Sequence, residues 1–298
     1  SIFTPIFILY PVAEIEVLAR KEVFIFCIFL LTIRIKNNFY ININKFLVLP
    51  IAVLIWEPIV FFLPFFIAWD LINLKLFKFK EIFLKLFPTY LPSLFIAFYI
   101  MINPISVDNH NTMSEFLKNE FGEICYMSCA LLKSKQSLYQ HLEAQFGRYS
   151  FEVLLRYFLV ILVGFGPLFL LLKNSYLKDK KIFFFRNFKS LLFPYLLLIS
   201  PIIPLAALAY DWYRWVNVSY FFSVILYYQL FKNGLIEINI LKLNKFTNVL
   251  KNKKVFIIIF IIYCFGWNPK TVMTGDVASL PGYRIPYKVF KIVNLKYL

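Results

Sequence analysis

Long uncharged runs are what most constrain this chain. Tyr157–Leu172 and Leu191–Tyr210 carry no charged residue. Neither shows the amphipathic spacing of a surface helix or the alternation of a half-buried strand. Inside lipid only helices and closed barrels satisfy their own backbone. A barrel would alternate apolar and polar residues, so continuous runs mean helices. Composition agrees: of 298 residues, 61% are hydrophobic and 16% charged, against about 45–50% and about 25% in soluble domains. The expected fold is all-α, a polytopic transmembrane helical bundle of about eight or nine spans that includes short helical hairpins. Gly is scarce, at 8 residues against 15 Pro, which disfavours the Gly-lined helix contacts of tightly packed transporter bundles.

The net charge of +16 would suggest a nucleic-acid partner in a soluble protein. In a membrane chain, Lys and Arg hold cytoplasmic loops in place, and no nucleic-acid partner is expected. Part of the Lys, Ile, Asn and Phe excess is compositional drift of an AT-rich genome. Cys27, Cys125, Cys129 and Cys264 form no metal pattern. Cys125 and Cys129 fall four apart on one expected helical face, where a disulfide is geometrically awkward. The chain starts at Ser1 with no signal-peptide pattern, and is expected to be a fragment whose upstream spans are missing.

Apolar stretches fall near 1–18, 22–33, 46–72, 86–104, 151–172, 190–210, 217–231 and 255–267. The stretch 46–72 holds Trp56-Glu57-Pro58 at its centre. It reads either as one long helix with a buried glutamate or as two short helices turning at Glu57-Pro58. Loop charge favours the turn. With it, loops 34–45 and 73–85 carry +3 each and loops 173–189 and 232–254 carry +5 each on one side. On the other side, residues 14–22 and 105–150 each sum to −1. The positive-inside rule then places the basic loops in the cytoplasm. The resulting organisation is N-terminal transmembrane hairpins over 1–104, an extracytoplasmic helical loop over 105–150, C-terminal transmembrane helices over 151–267 and an extracytoplasmic tail over 268–298. Only that tail, with five Lys and Arg against Asp276, departs from the charge rule.

The loop 105–150 reads as helical. Thr112-Met113-Ser114-Glu115 and Ser137-Leu138-Tyr139-Gln140 resemble capping boxes, with Gly122 and Gly147 at helix stops. His110 and His141 also lie there and read as solvated.

In this topology the unusual ionisable residues gather on the extracytoplasmic side. Glu14, Glu16, Arg20, Lys21 and Glu22 end the first hairpin, Glu57 tips the second, and Asp211-Trp212-Tyr213-Arg214-Trp215 turns between two later spans. Charges at membrane depth are costly and mark functional sites by default. Arginines beside carboxylates can grip a pyrophosphate and activate a hydroxyl. Each group also has a plainer reading. Arg20, Lys21 and Glu22 suit an interfacial anchor, Glu57 a helix cap before Pro58, and Asp211 with Arg214 a local ion pair. Glu152 and Arg156 read as a helix-surface pair. There is no P-loop, G-x-S-x-G, H-E-x-x-H or Cys/His metal cluster in the sequence. That excludes ATP-driven pumping, and neither a metal nor another cofactor is expected.

Three patches resemble those of bacterial inner-membrane polysaccharide polymerases of the Wzy/EpsG type. They are Glu16–Glu22, Trp56-Glu57-Pro58 with Phe61-Phe62-Leu63-Pro64, and Asp211–Trp215. Trp56 stands where that family usually has His, and Tyr213 where it has Gly. The resemblance implies polymerisation of polyprenyl-pyrophosphate-linked oligosaccharides at the periplasmic face. Glu57 or Asp211 would be the base or orient the acceptor hydroxyl. Arg20, Lys21 and Arg214 would hold pyrophosphate, and Trp212 and Trp215 would stack on sugar rings. A polyprenyl-phosphate-sugar glycosyltransferase, a polysaccharide flippase or transporter, and a non-catalytic membrane scaffold are the alternatives.

Overall fold

The computed structural model describes residues 21–35, 37–76, 78–103, 105–125, 151–179, 188–208, 212–240 and 252–266, with a few isolated positions besides. Nearly all of the described chain is helical. The helix α1, Lys21–Arg34, has Glu22 in its first turn and Arg34 in its last, the charge order that the helix dipole favours. Asn37 caps α2, Asn38–Ile43, by accepting the Phe39 N–H at 2.9 Å. A π-helical turn, Asn44–Val48, leads into α3, Leu49–Ile55. The register slip falls just before Pro50, whose missing N–H would otherwise break an α ladder. The same arrangement recurs where α5, Phe79–Glu81, passes through a π-turn, Ile82–Leu86, into α6, Phe87–Ile102, with Pro88 in its first turn.

Pro58 cannot continue a helix but suits the first turn of a new one, where its missing N–H costs nothing and its fixed φ fits. Accordingly α3 stops at Ile55, Trp56 is extended (φ −153°, ψ 92°), and a 3₁₀ turn, Glu57–Phe62, leads into α4, Leu63–Asn73. The chain doubles back here. Lys45 and Asp70 would lie about 37 Å apart on one straight helix, yet their side chains meet at 2.5 Å. Of the two readings of 46–72, the turn at Glu57-Pro58 is the one observed.

Phe222 organises the core. It lies in α11, Trp212–Lys232, and is fully buried. Its ring centroid lies 4.5 Å from Phe29, 5.5 Å from both Phe62 and Phe65, 5.8 Å from Phe66 and 6.2 Å from Phe26. One ring therefore joins α1, the 3₁₀ turn, α4 and α11, and offset or edge-on rings are the favourable aromatic geometry. Helix α1 runs parallel to α11: Phe26 stacks on Phe221 at 3.9 Å, and one helical span further on Gln229 Nε2 lies 3.5 Å from the Ile33 carbonyl. A second group of elements comprises α8, Phe151–Lys173, α9, Leu192–Ile199, and α10, Ile202–Leu208. The single span expected over 190–210 is thus broken at Ser200-Pro201, where proline interrupts the ladder. Strands β1, Ser175–Leu177, and β2, Ile236–Ile238, pair antiparallel. This ties the segments after α8 and α11 to one end of the molecule. Helix α12, Lys253–Gly266, follows later in the chain.

Helix α7, Val107–Phe121, corrects three sequence expectations. Its N-cap is Ser106, which accepts the Asn109 N–H at 3.2 Å; Thr112 lies inside the helix and donates to the Asp108 carbonyl instead. His110 is buried rather than solvated. The helix does end at Gly122, whose φ of +66° is the left-handed conformation that glycine adopts freely. Cys125 therefore lies beyond the helix, the geometric objection to a bridge disappears, and Cys125 is disulfide-bonded. His141, Gly147 and the second capping box fall largely outside the described residues, as does the tail 268–298 apart from Val293.

Among the described residues one helix, Phe79–Ile102, is long and apolar enough to cross a membrane. Shorter apolar helical stretches accompany it: Phe39–Ile55, the Gly164–Lys173 part of α8, and Leu192–Leu208 across the break at Ser200-Pro201.

Candidate functional site

Two of the sequence patches meet at one end of the bundle. The extended backbone at Trp56 turns its indole inward, where it stacks on Phe62 at 6.0 Å and lies 5.9 Å from Trp215 in the first turn of α11. Both indoles are buried. Glu57, the next residue, is exposed at the head of the 3₁₀ turn. The parallel register of α1 and α11 brings the first turn of α1 level with Trp215–Asn217. Lys21 is exposed there and Glu22 is buried at 2%. The Glu57 turn, the start of α1 and the start of α11 thus share one end of the molecule. Arg20 and Asp211 lie outside the described residues, as do the side chains of Trp212 and Arg214. Trp215 serves as a packing partner of Trp56, so its ring is not presented at the surface.

At the opposite end the structure holds a polar cluster that the sequence reading missed. The carboxylate Oδ2 of Asp70 takes Lys45 Nζ at 2.5 Å and accepts the Tyr90 hydroxyl at 2.6 Å. The ammonium also lies 5.6 Å from the Tyr90 ring centroid, within cation–π range. Both charged side chains are 5% exposed. Beside Lys45, Asn44 Nδ2 donates to Thr32 Oγ1 at 2.5 Å, and Thr32 Oγ1 donates to the Ile28 carbonyl at 2.8 Å. Adjacent residues of one π-turn therefore bind α1 on one side and α4 with α6 on the other. Lys45 is not the solvated loop charge that its place in 34–45 suggested. The π-turn rotates it inward, and burial demands the counter-charge that Asp70 supplies. The signal that finds this cluster in the sequence is Asp70 itself, the lone charge in the apolar run after Pro58.

A third polar contact lies at the β ribbon. The Tyr176 hydroxyl donates to the Glu237 carboxylate at 2.6 Å across the β1–β2 pair. That hydrogen bond, then the charge of Glu237, then a smaller desolvation contribution hold the phenol above its ordinary pKa.

No family model, curated protein or solved structure matches this chain.

Proposed function

We propose that this chain is a multi-pass membrane enzyme of surface polysaccharide biosynthesis in the bacterial inner membrane, and that it polymerises or transfers polyprenyl-pyrophosphate-linked glycans at the periplasmic face. The observation that carries the proposal is the Trp56–Trp215 contact, which joins the Glu57 turn to the Asp211–Trp215 patch. Lys21 at the level of that contact adds a cation from the third patch. In this reading Glu57 or Asp211 takes the proton of the acceptor sugar hydroxyl as that oxygen attacks the anomeric carbon. Arg20, Lys21 and Arg214 neutralise the departing pyrophosphate, Trp212 stacks on a sugar ring, and Trp215 holds the Glu57 turn in place. Cleavage of the pyrophosphate linkage drives the transfer, so no nucleotide motif is required.

Several features support the membrane side of the proposal. Exposed apolar side chains surround the molecule: Phe95, Phe98 and Met101 on α6, Phe158 and Leu162 on α8, and Ile257, Ile258 and Ile259 on α12. Apolar surface on this scale calls for a nonaqueous neighbour. The orientation has independent support from the Cys125 disulfide, because such bonds persist in oxidising compartments. Helix α6 ends shortly before α7, so this disulfide belongs to the Glu57 side and away from the basic ribbon.

The buried Lys45–Asp70 pair favours a second reading, a transporter of polysaccharide intermediates, since charges inside a bundle mark translocation paths. A chain-length assay separates the two. With Arg214→Ala, surface glycans collapse to single repeats while lipid-linked units still reach the periplasm. Lipid-linked units retained on the cytoplasmic side would establish the transporter instead, and unchanged long chains would sink both readings.

A further inference from the structure

Helix α4 ends on a residue that local backbone preference would not choose. Lys75 N–H bonds the Ile72 carbonyl at 3.3 Å and Leu76 N–H the Leu71 carbonyl at 3.1 Å, the paired bonds of a cap that needs a left-handed residue. That residue is Lys75, with φ +50°. A side chain with a Cβ is strained there, and the other left-handed positions among the described residues are Gly122 and Gly234. The chain keeps a lysine where glycine would fit better, and strain of this kind collects at functional positions. Beyond the cap come Lys78, Lys80 and Lys85, all exposed, as Lys75 is. Glu81 is the one acid against these four lysines, so the segment 73–85 sums to +3. Among the described residues no carboxylate pairs with any of the four.

Apolar surface runs on from these charges. Phe79, Phe83, Phe87, Leu91 and Phe95 recur every fourth residue and are all exposed, and the Phe83 and Phe87 rings stack at 5.4 Å. Phe79–Ile102 is 24 residues long, about 36 Å as a helix, against roughly 30 Å of bilayer hydrocarbon. With Ile102 at one edge of the hydrocarbon, the other edge falls about 20 residues back, near Phe83. The lysines then lie at headgroup level and Phe79 in the aromatic belt. We infer that this end of the molecule binds an anionic phospholipid. Lys75, Lys78, Lys80 and Lys85 hold the phosphate-bearing headgroup, and an acyl chain lies along Phe83, Phe87 and Leu91. Charge complementarity selects this occupant over a zwitterionic lipid, because unpaired lysines at the hydrocarbon edge gain most from an anionic surface. The inference uses the membrane reading above and none of its glycan chemistry.

The test titrates the full chain in detergent with a fluorescent phosphatidylglycerol and follows binding by anisotropy. Unlabelled phosphatidylglycerol is expected to displace the probe about tenfold more effectively than phosphatidylcholine. Equal displacement by the two lipids would overturn the proposal, and so would equal displacement by inorganic phosphate, which would mark a free-anion site. Lys75→Gly suits the left-handed backbone and keeps the cap. It should melt no lower than the parent yet bind about fivefold more weakly, the worth of one lysine at an anionic surface. Unchanged binding in Lys75→Gly would overturn the proposal. Lys78→Gln/Lys80→Gln/Lys85→Gln should weaken binding further. Lys173→Gln/Lys178→Gln/Lys232→Gln removes equal charge from exposed positions elsewhere and should stay within about twofold. Equal losses in the two triple variants would reduce the effect to overall charge and sink the site. If a triple variant fails to fold, Lys75→Gly and the parent's lipid preference decide. A missing lipid preference leaves the glycan chain-length assay untouched, so this inference and the proposed function fail separately.

Discussion

Lys45 and Asp70, on opposite arms of one hairpin, meet at 2.5 Å with both side chains 5% exposed, and Tyr90 completes the carboxylate's shell. Desolvating two charges costs as much as their attraction returns, so such a pair contributes little net stability. Losing one partner is a different matter, because it strands a charge in a low-dielectric interior. Lys45→Met or Asp70→Leu alone should therefore cost roughly 3–5 kcal/mol. The triple variant Lys45→Met/Asp70→Leu/Tyr90→Phe removes both charges and the hydroxyl that would lose its acceptor, and should recover most of that loss. Thermal aggregation midpoints in detergent would read the series. A triple variant worse than either single one would show that the cluster is not a closed, mutually satisfied unit.

The aromatic core makes an equally direct prediction. Phe222 contacts rings from three other elements and is fully buried, whereas Phe95 is 70% exposed on α6. Phe222→Ala should destabilise by roughly 3–5 kcal/mol through the cavity it leaves. Phe95→Ala should stay within about 0.5 kcal/mol, as surface substitutions do. Comparable losses at both positions would mean that Phe95 also packs inside the protein.

These two residues show where the sequence was legible. The uncharged runs announced helices, and the Trp56-Glu57-Pro58 break announced a hairpin, because proline opens a helix readily but cannot continue one. Nothing local distinguishes Phe222 from Phe95. Which of 37 Phe rings form the core depends on contacts distant in sequence, so the part of the Phe excess attributed to genome drift includes the centre of the fold. Lys45 was misread for the same reason. Its depth is set by a π-turn whose register shift is not encoded in apolar spacing, and its partner lies 25 positions on. At the Glu57 end the sequence offers three charged patches, expected on the side opposite the basic loops. Of their contacts, only the Trp56–Trp215 packing and the level of α1 are described, since Arg20 and Asp211 lie outside the described residues.

The ribbon contact predicts a pH response. The Glu237 carboxylate accepts from the protonated Tyr176 hydroxyl, so the folded phenol titrates above its unfolded value of about 10. A raised pKa means that the stabilisation is complete below the unfolded value and is lost as pH rises through the folded one. The β1–β2 pair should therefore loosen above about pH 10, detectable as faster proteolysis between Ser175 and Ile238. Tyr176→Phe should remove that alkaline step and leave the neutral-pH rate nearly unchanged, because the contact is solvent-exposed. An alkaline step that persists in Tyr176→Phe would assign it to another group.

The proposed multi-pass topology stands or falls on which residues share a side. With Cys27 and the cysteine that lies outside the Cys125 bridge both replaced by Ser, cysteines introduced one at a time at Glu57, at Lys75 and at Lys178 report on three exposed positions. Glu57 tips the hairpin, Lys75 follows its returning arm, and Lys178 follows β1. The proposal places Glu57 outside and the two lysines inside. In intact cells a membrane-impermeant maleimide should label Glu57→Cys alone, and detergent should release labelling of Lys75→Cys and Lys178→Cys. The native Cys125 bridge supplies an internal marker: once reduced, its thiols should react from the same side as position 57. Labelling of Lys75→Cys together with Glu57→Cys in intact cells would mean that the hairpin lies on the membrane surface. A glycan substrate would then have to be approached from a different face than the one proposed.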